Sequence, residues 1–84
     1  MESTADRLRA RIRVVQALPP VEKRVELRER AGLSRADLAA AIGVTPGAVW
    51  LWEKGKRQPS GLLLQKYVEA LGLLEETDPI KEAS

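Results

Sequence analysis

The apolar residues of this chain recur at intervals of three and four, and glycines and prolines cut the pattern into short pieces. Ala5, Leu8, Ile12 and Val15 make a single stripe, which predicts a helix over residues 4–17. Ser3 or Thr4 suits its cap, and Asp6 suits the positive end of its dipole. Pro19-Pro20 ends it, and Pro20 opens a second helix to about Ala31, with Val21, Val25 or Leu27, and Ala31 facing inward. Gly32 is a left-handed stop. Ser34 and Asp37 form a capping box for a third helix, Arg35 to Ile42, which Gly43 closes. Thr45 reads as the next cap, with Pro46 at the first helical position and the helix running to about Lys54. After Gly55 and the basic loop Lys56-Arg57-Gln58-Pro59, Ser60 caps a last helix that ends at Leu71-Gly72. Its inward side is Leu63, Leu64, Tyr67, Val68 and Leu71. Leu73-Leu74 adds at most a turn, and the polar end reads as a frayed tail.

Composition supports an all-α reading. The apolar set is dominated by Leu and Ala, with no Phe and few other aromatics, and such residues favour helices. With no Cys and no His there is no disulfide framework, thiolate or imidazole metal site, Cys nucleophile or imidazole base. No cofactor, metal or enzymatic activity is expected. The apolar runs are a few residues long, so no membrane partner is expected. Arg at every second position from 7 to 13 does not fit a secretory signal, and the expected location is the cytoplasm. Residues 1–66 carry a net +6 and residues 67–84 a net −4, which the overall +2 conceals. A basic body with an acidic tail suits a polyanion partner, although solvated helix faces would give the same count.

The informative segment is Arg35 to Lys54. It holds two short helices joined by Gly43-Val44, with Ala39 placed where a crossing helix needs a small side chain. Leu38, Ile42, Val44, Val49 and Trp52 would pin the two at a steep angle. That is a helix-turn-helix, whose second helix enters the major groove of DNA. On this reading Pro46, Gly47, Trp50 and Leu51 face outward, and Lys54, Lys56 and Arg57 flank the groove as backbone contacts. Trp52 reads as core, whereas Trp50 reads equally as a DNA contact or as packing under the first helix. Arg35 sits at a helix N-terminus, where it opposes the dipole, and a phosphate contact would account for it.

The string Leu27-Arg28-Glu29-Arg30-Ala31-Gly32-Leu33-Ser34, then Asp37-Leu38-Ala39 and Ile42-Gly43-Val44-Thr45, resembles the phage repressor, Cro and Xre group of DNA-binding domains. So do Val49, Trp52-Glu53-Lys54-Gly55-Lys56-Arg57, Pro59-Ser60 and Ala70-Leu71-Gly72. The resemblance covers about residues 21–74. It implies a lambda-repressor-like bundle of four to five helices. Outside it, the chain's own pattern adds an N-terminal amphipathic extension helix over residues 1–18 and an acidic, flexible tail over residues 75–84. The domain between them, residues 19–74, would bind double-stranded DNA as a transcriptional regulator, a repressor of the phage or Xre type. The resemblance also implies a DNA contact for Thr45 beyond its cap, and a structural ion pair between Arg28 and Glu53.

Two features depart from the group. Its members usually carry polar side chains at the start of the recognition helix, where this chain has Pro46 and Gly47. Direct readout of base edges is therefore thin. The short Leu73-Leu74-Glu75-Glu76 segment weakens the usual dimer contact. The competing function is a protein-interaction module, antitoxin-like or a repressor partner, that uses the apolar Trp50-Leu51 face. A second copy of the chain or another regulatory protein would then be the partner. The Leu8, Ile12 and Val15 stripe is expected to bury on the domain's own surface or on a second subunit.

Overall fold

A computed structural model of the chain describes residues 2–82, with side chains as far as residue 80. The architecture is all-helical: α1 (Thr4–Ala17), α2 (Val21–Arg30), α3 (Arg35–Ile42), α4 (Pro46–Glu53), α5 (Gly61–Glu76) and the short α6 (Pro79–Glu82). Local chemistry sets the starts. Ser3 and Ser34 each accept a hydrogen bond from the backbone three residues on, and the acids there, Asp6 and Asp37, answer the cap's own N–H. Thr45 Oγ1 accepts from Ala48 N at 3.1 Å, with Pro46 in the first turn. Ser60 stands at the start of α5 but makes no capping hydrogen bond with its side chain.

The core is built by α2 to α5 from Leu27, Leu38, Ala39, Ile42, Val49, Trp52, Tyr67, Leu71 and Leu74. Trp52 and Tyr67 meet with ring centroids 4.8 Å apart at a tilt of 47°, a favoured aromatic geometry. α2 differs from the expected inward face. Leu27 is buried, but Arg24 and Arg28 share its side of the helix, while Ala31 is exposed. Both arginines are buried because each guanidinium finds acceptors. Arg24 donates to the carbonyls of Pro19 (2.8 Å) and Trp52 (3.1 Å), and so ties the α1–α2 turn to the end of α4.

Helix extends further toward the C-terminus than the single turn expected after Gly72. Gly72 adopts no positive φ, and α5 runs through it to Glu76, so Leu74 joins the core. Burying Leu71 and Leu74 on one helical face outweighs the roughly 1 kcal/mol that an interior glycine costs. Asp78 is buried, accepts from Arg30 at 3.0 Å and caps α6 through Ile80 N. Residues 83 and 84 lie outside the described residues.

α1 lies against α5. The face it turns inward is not its apolar stripe: Leu8, Ile12 and Val15 remain 57%, 50% and 41% exposed. A hollow of about 220 Å³ between the helices is lined instead by Arg7, Ala10, Arg11 and Val14 from α1 and by Gly61, Leu64 and Gln65 from α5. Pro19 is buried at the exit of α1, so the turn into α2 fixes which face points inward. Val14, half-buried, and the small Ala10 line this hollow opposite Leu64. No helix among the described residues is long and apolar enough to cross a membrane.

Candidate nucleic-acid interface

α3 and α4 are joined by a turn that the sequence dictates. Gly43 takes φ +93, and the N–H groups of Gly43 and Val44 both donate to the Ala39 carbonyl, at 2.8 and 2.9 Å. Ala39 is buried beneath the junction together with Leu38, Ile42, Val49 and Trp52. α4 therefore buries Val49, Trp52 and Glu53 and turns Pro46, Gly47 and Trp50 outward, with Leu51 half-buried at the edge. Trp50 is 38% exposed. Only Thr45 brings a hydroxyl to the leading end of this face. Its oxygen caps the helix, which leaves its proton free to donate.

Beyond α4 the chain closes tightly. Lys56 N and Arg57 N both donate to the Leu51 carbonyl, at 3.0 and 3.3 Å, and Gly55 supplies the positive φ that this closure needs. Lys54, Lys56 and Arg57 are consequently exposed on a loop with a fixed backbone. Lys56 Nζ stands 5.6 Å from the centre of the Trp50 ring, a cation–π contact that steadies the ring on the open face.

Beneath α4 lies a buried ionic cluster. Glu53, 2% exposed, accepts from Arg28 Nε at 2.6 Å and from Arg28 Nη2 at 3.1 Å, a bidentate pair. Arg28 Nη1 also donates to the Leu33 carbonyl at 3.0 Å, just before the α3 cap. Arg35 joins the cluster, with its Nε donating to Glu53 Oε1 at 2.8 Å. Burial alone would push the Glu53 carboxyl up, but the hydrogen bonds from Arg28 and Arg35 outweigh it and hold the carboxyl below the ordinary range. The hydrogen bond to Glu53 raises Arg28 above its already high value. Asp37 is also held low, by the backbone and side-chain hydrogen bonds from Ser34. Beside this cluster, burial pushes the Tyr67 phenol up to about 12, and its hydroxyl has no hydrogen-bond partner among the described residues.

The structure thus gathers Thr45, Pro46, Gly47, Trp50 and Leu51 on one surface, with Lys54, Lys56 and Arg57 at its trailing end. It brings Arg28 and Glu53 into contact. Arg35 differs from a free surface cation, because its Nε is committed to Glu53 while its side chain stays 36% exposed. Sequence reasoning missed Arg24 and the second arginine on Glu53. The spacing of Arg24, Leu27 and Arg28 on one helical face was the signal, and a search for apolar stripes passes over it.

Residues 26–77 match the family model described as Helix-turn-helix, which spans more than half of the chain. No curated protein and no solved structure matches it.

Proposed function

Because this chain belongs to the helix-turn-helix family, of the Cro/Xre type, we propose that it binds a preferred duplex DNA site and represses transcription by occupying it. The family makes it a DNA-binding regulator of transcription. Repression follows the resemblance to phage repressors and would take place in the cytoplasm. The observation that carries the rest is the exposed α4 face, small and apolar at its leading end, with three cations fixed behind it. Pro46 and Gly47 let the helix backbone sit deep in the major groove. Trp50 and Leu51 offer contact to thymine methyl groups, and Lys54, Lys56 and Arg57 meet phosphates on the flank. Arg35, steered by Glu53, points its remaining N–H groups at a phosphate on the other side. Preference among sequences then comes mainly from groove shape and thymine methyls, and less from base-edge hydrogen bonds.

The test is a binding titration on a selected duplex and on a random one. Lys56→Ala and Arg57→Ala weaken both duplexes alike, whereas Thr45→Ala and Trp50→Ala weaken the selected duplex more. If Arg57→Ala abolishes the preference yet leaves random-duplex affinity intact, the assigned roles are reversed. One observation favours a second reading, a protein-interaction module: the open face of α4 is apolar, with Trp50 exposed on it and Leu51 at its edge. Salt separates the two, because phosphate contacts weaken steeply as salt rises and an apolar protein contact does not.

A further inference from the structure

α1 lies outside the matched segment, and its most conspicuous charges have no assigned work. Of its four arginines, Arg9 is paired with Asp6 at 3.0 Å. Among the described residues, Arg7, Arg11 and Arg13 form no ion pair. Arg7 and Arg11 are one helical turn apart and both line the hollow where α1 meets Gly61 and Gln65, at the start of α5. Arg13 is not among the residues of that hollow.

The position matters because α5 begins directly after the basic loop. Three residues separate Arg57 from Gly61, so about four Cα steps, at most about 14 Å of chain, lie between them. Over about that length a duplex carries roughly eight phosphates. Arg7 and Arg11 therefore stand at the end of α5 into which the basic loop leads. Glu2 shares the hollow and offsets one of the two charges, which leaves a net positive edge. This placement also accounts for the face that α1 turns inward. Ala10 and Val14 seat the helix on α5, and the arginines on the same side stay at the rim and exposed.

We infer that α1 extends the DNA interface, with Arg7 and Arg11 contacting the phosphate backbone beyond the contacts of Lys54, Lys56 and Arg57. This rests on the DNA reading proposed above. The contacts are non-specific: they lengthen the footprint along one strand and add affinity on any duplex.

The experiment is a salt series on the full chain, with a selected and a random duplex, comparing wild type, Arg7→Ala/Arg11→Ala, Arg13→Ala and Lys56→Ala/Arg57→Ala. Alanine favours the helix, so circular dichroism should show α1 intact in each α1 variant. Two lost phosphate contacts flatten the log–log slope by about 1.8 units, so the affinity ratio between about 50 and 200 mM salt shrinks roughly twelvefold. The expected result is that flattening for Arg7→Ala/Arg11→Ala on both duplexes, with Arg13→Ala unchanged. A wild-type slope in Arg7→Ala/Arg11→Ala, beside a flattened one in Lys56→Ala/Arg57→Ala, would overturn the role of α1 and leave the DNA reading standing. Flattening by Arg13→Ala of about 0.9 units, half that of the double variant, would overturn it too, since diffuse charge would then suffice. If no variant changes the slope, the DNA reading itself fails.

Discussion

Glu53 is one carboxylate shared by two guanidiniums, and it is fully enclosed. Removing it leaves Arg28 buried and uncompensated, which costs on the order of 3–5 kcal/mol. Glu53→Ala should lower the melting temperature steeply, and an unchanged value would mean the cluster is irrelevant to stability. The pH dependence has a definite sign. The folded carboxyl is held below its unfolded value, so its contribution is complete above roughly pH 4.3 and is lost as pH falls through the lower folded value. In acid denaturation, the gap between wild type and Glu53→Gln should therefore narrow below about pH 4. Tyr67 behaves oppositely. Its phenol is pushed up to about 12, so stability is full below about pH 10 and drains away as pH rises toward the folded value. Its hydroxyl has no partner among the described residues, so Tyr67→Phe should be neutral or stabilising by about 1 kcal/mol and should remove that alkaline loss. A loss of 2 kcal/mol or more on urea unfolding would show that the hydroxyl is satisfied after all.

Two glycines show at the level of the element what a linear pattern can carry. Gly43 and Gly72 both follow an apolar run and both read as stops. Gly43 is one, at φ +93, and an added Cβ there meets no atom, so Gly43→Ala costs backbone strain alone, about 1–2 kcal/mol. Gly72 lies inside α5 with open space around it, so Gly72→Ala should stabilise by about 0.5–1 kcal/mol. Thermal melts of the two variants should move in opposite directions, and a drop for Gly72→Ala would contradict the continuous helix. Caps, prolines and the αL turn were legible in the chain because they act within four residues. The length of α5 was not, because Leu74 and Asp78 are held by distant partners, the core and Arg30. The inward face of α1 was illegible for the same reason. Its strongest stripe is Leu8, Ile12 and Val15, yet the buried turn at Pro19 and the surface of α5 select Ala10 and Val14. At the interface, the residue types were legible but the sharing of Glu53 by Arg35 was not, since it joins residues eighteen apart through the fold.

The whole molecule is electrically divided. A net +6 over residues 1–66 contains every cation assigned to DNA, and a net −4 follows from residue 67 onward. The acidic groups Glu69 and Glu76 line the groove between α3 and α5 together with Lys66, Leu73 and Ala41. The central claim is that the α4 face and the loop behind it meet the duplex. The most direct test is to titrate isotope-labelled protein with a selected duplex and follow the backbone amides by nuclear magnetic resonance. The account predicts the largest shifts at Arg35, at Thr45 and Gly47 to Leu51, and at Lys54 to Arg57, with Glu69 to Glu76 unmoved. Shifts concentrated along Glu69 to Glu76, with Thr45 to Arg57 silent, would contradict it.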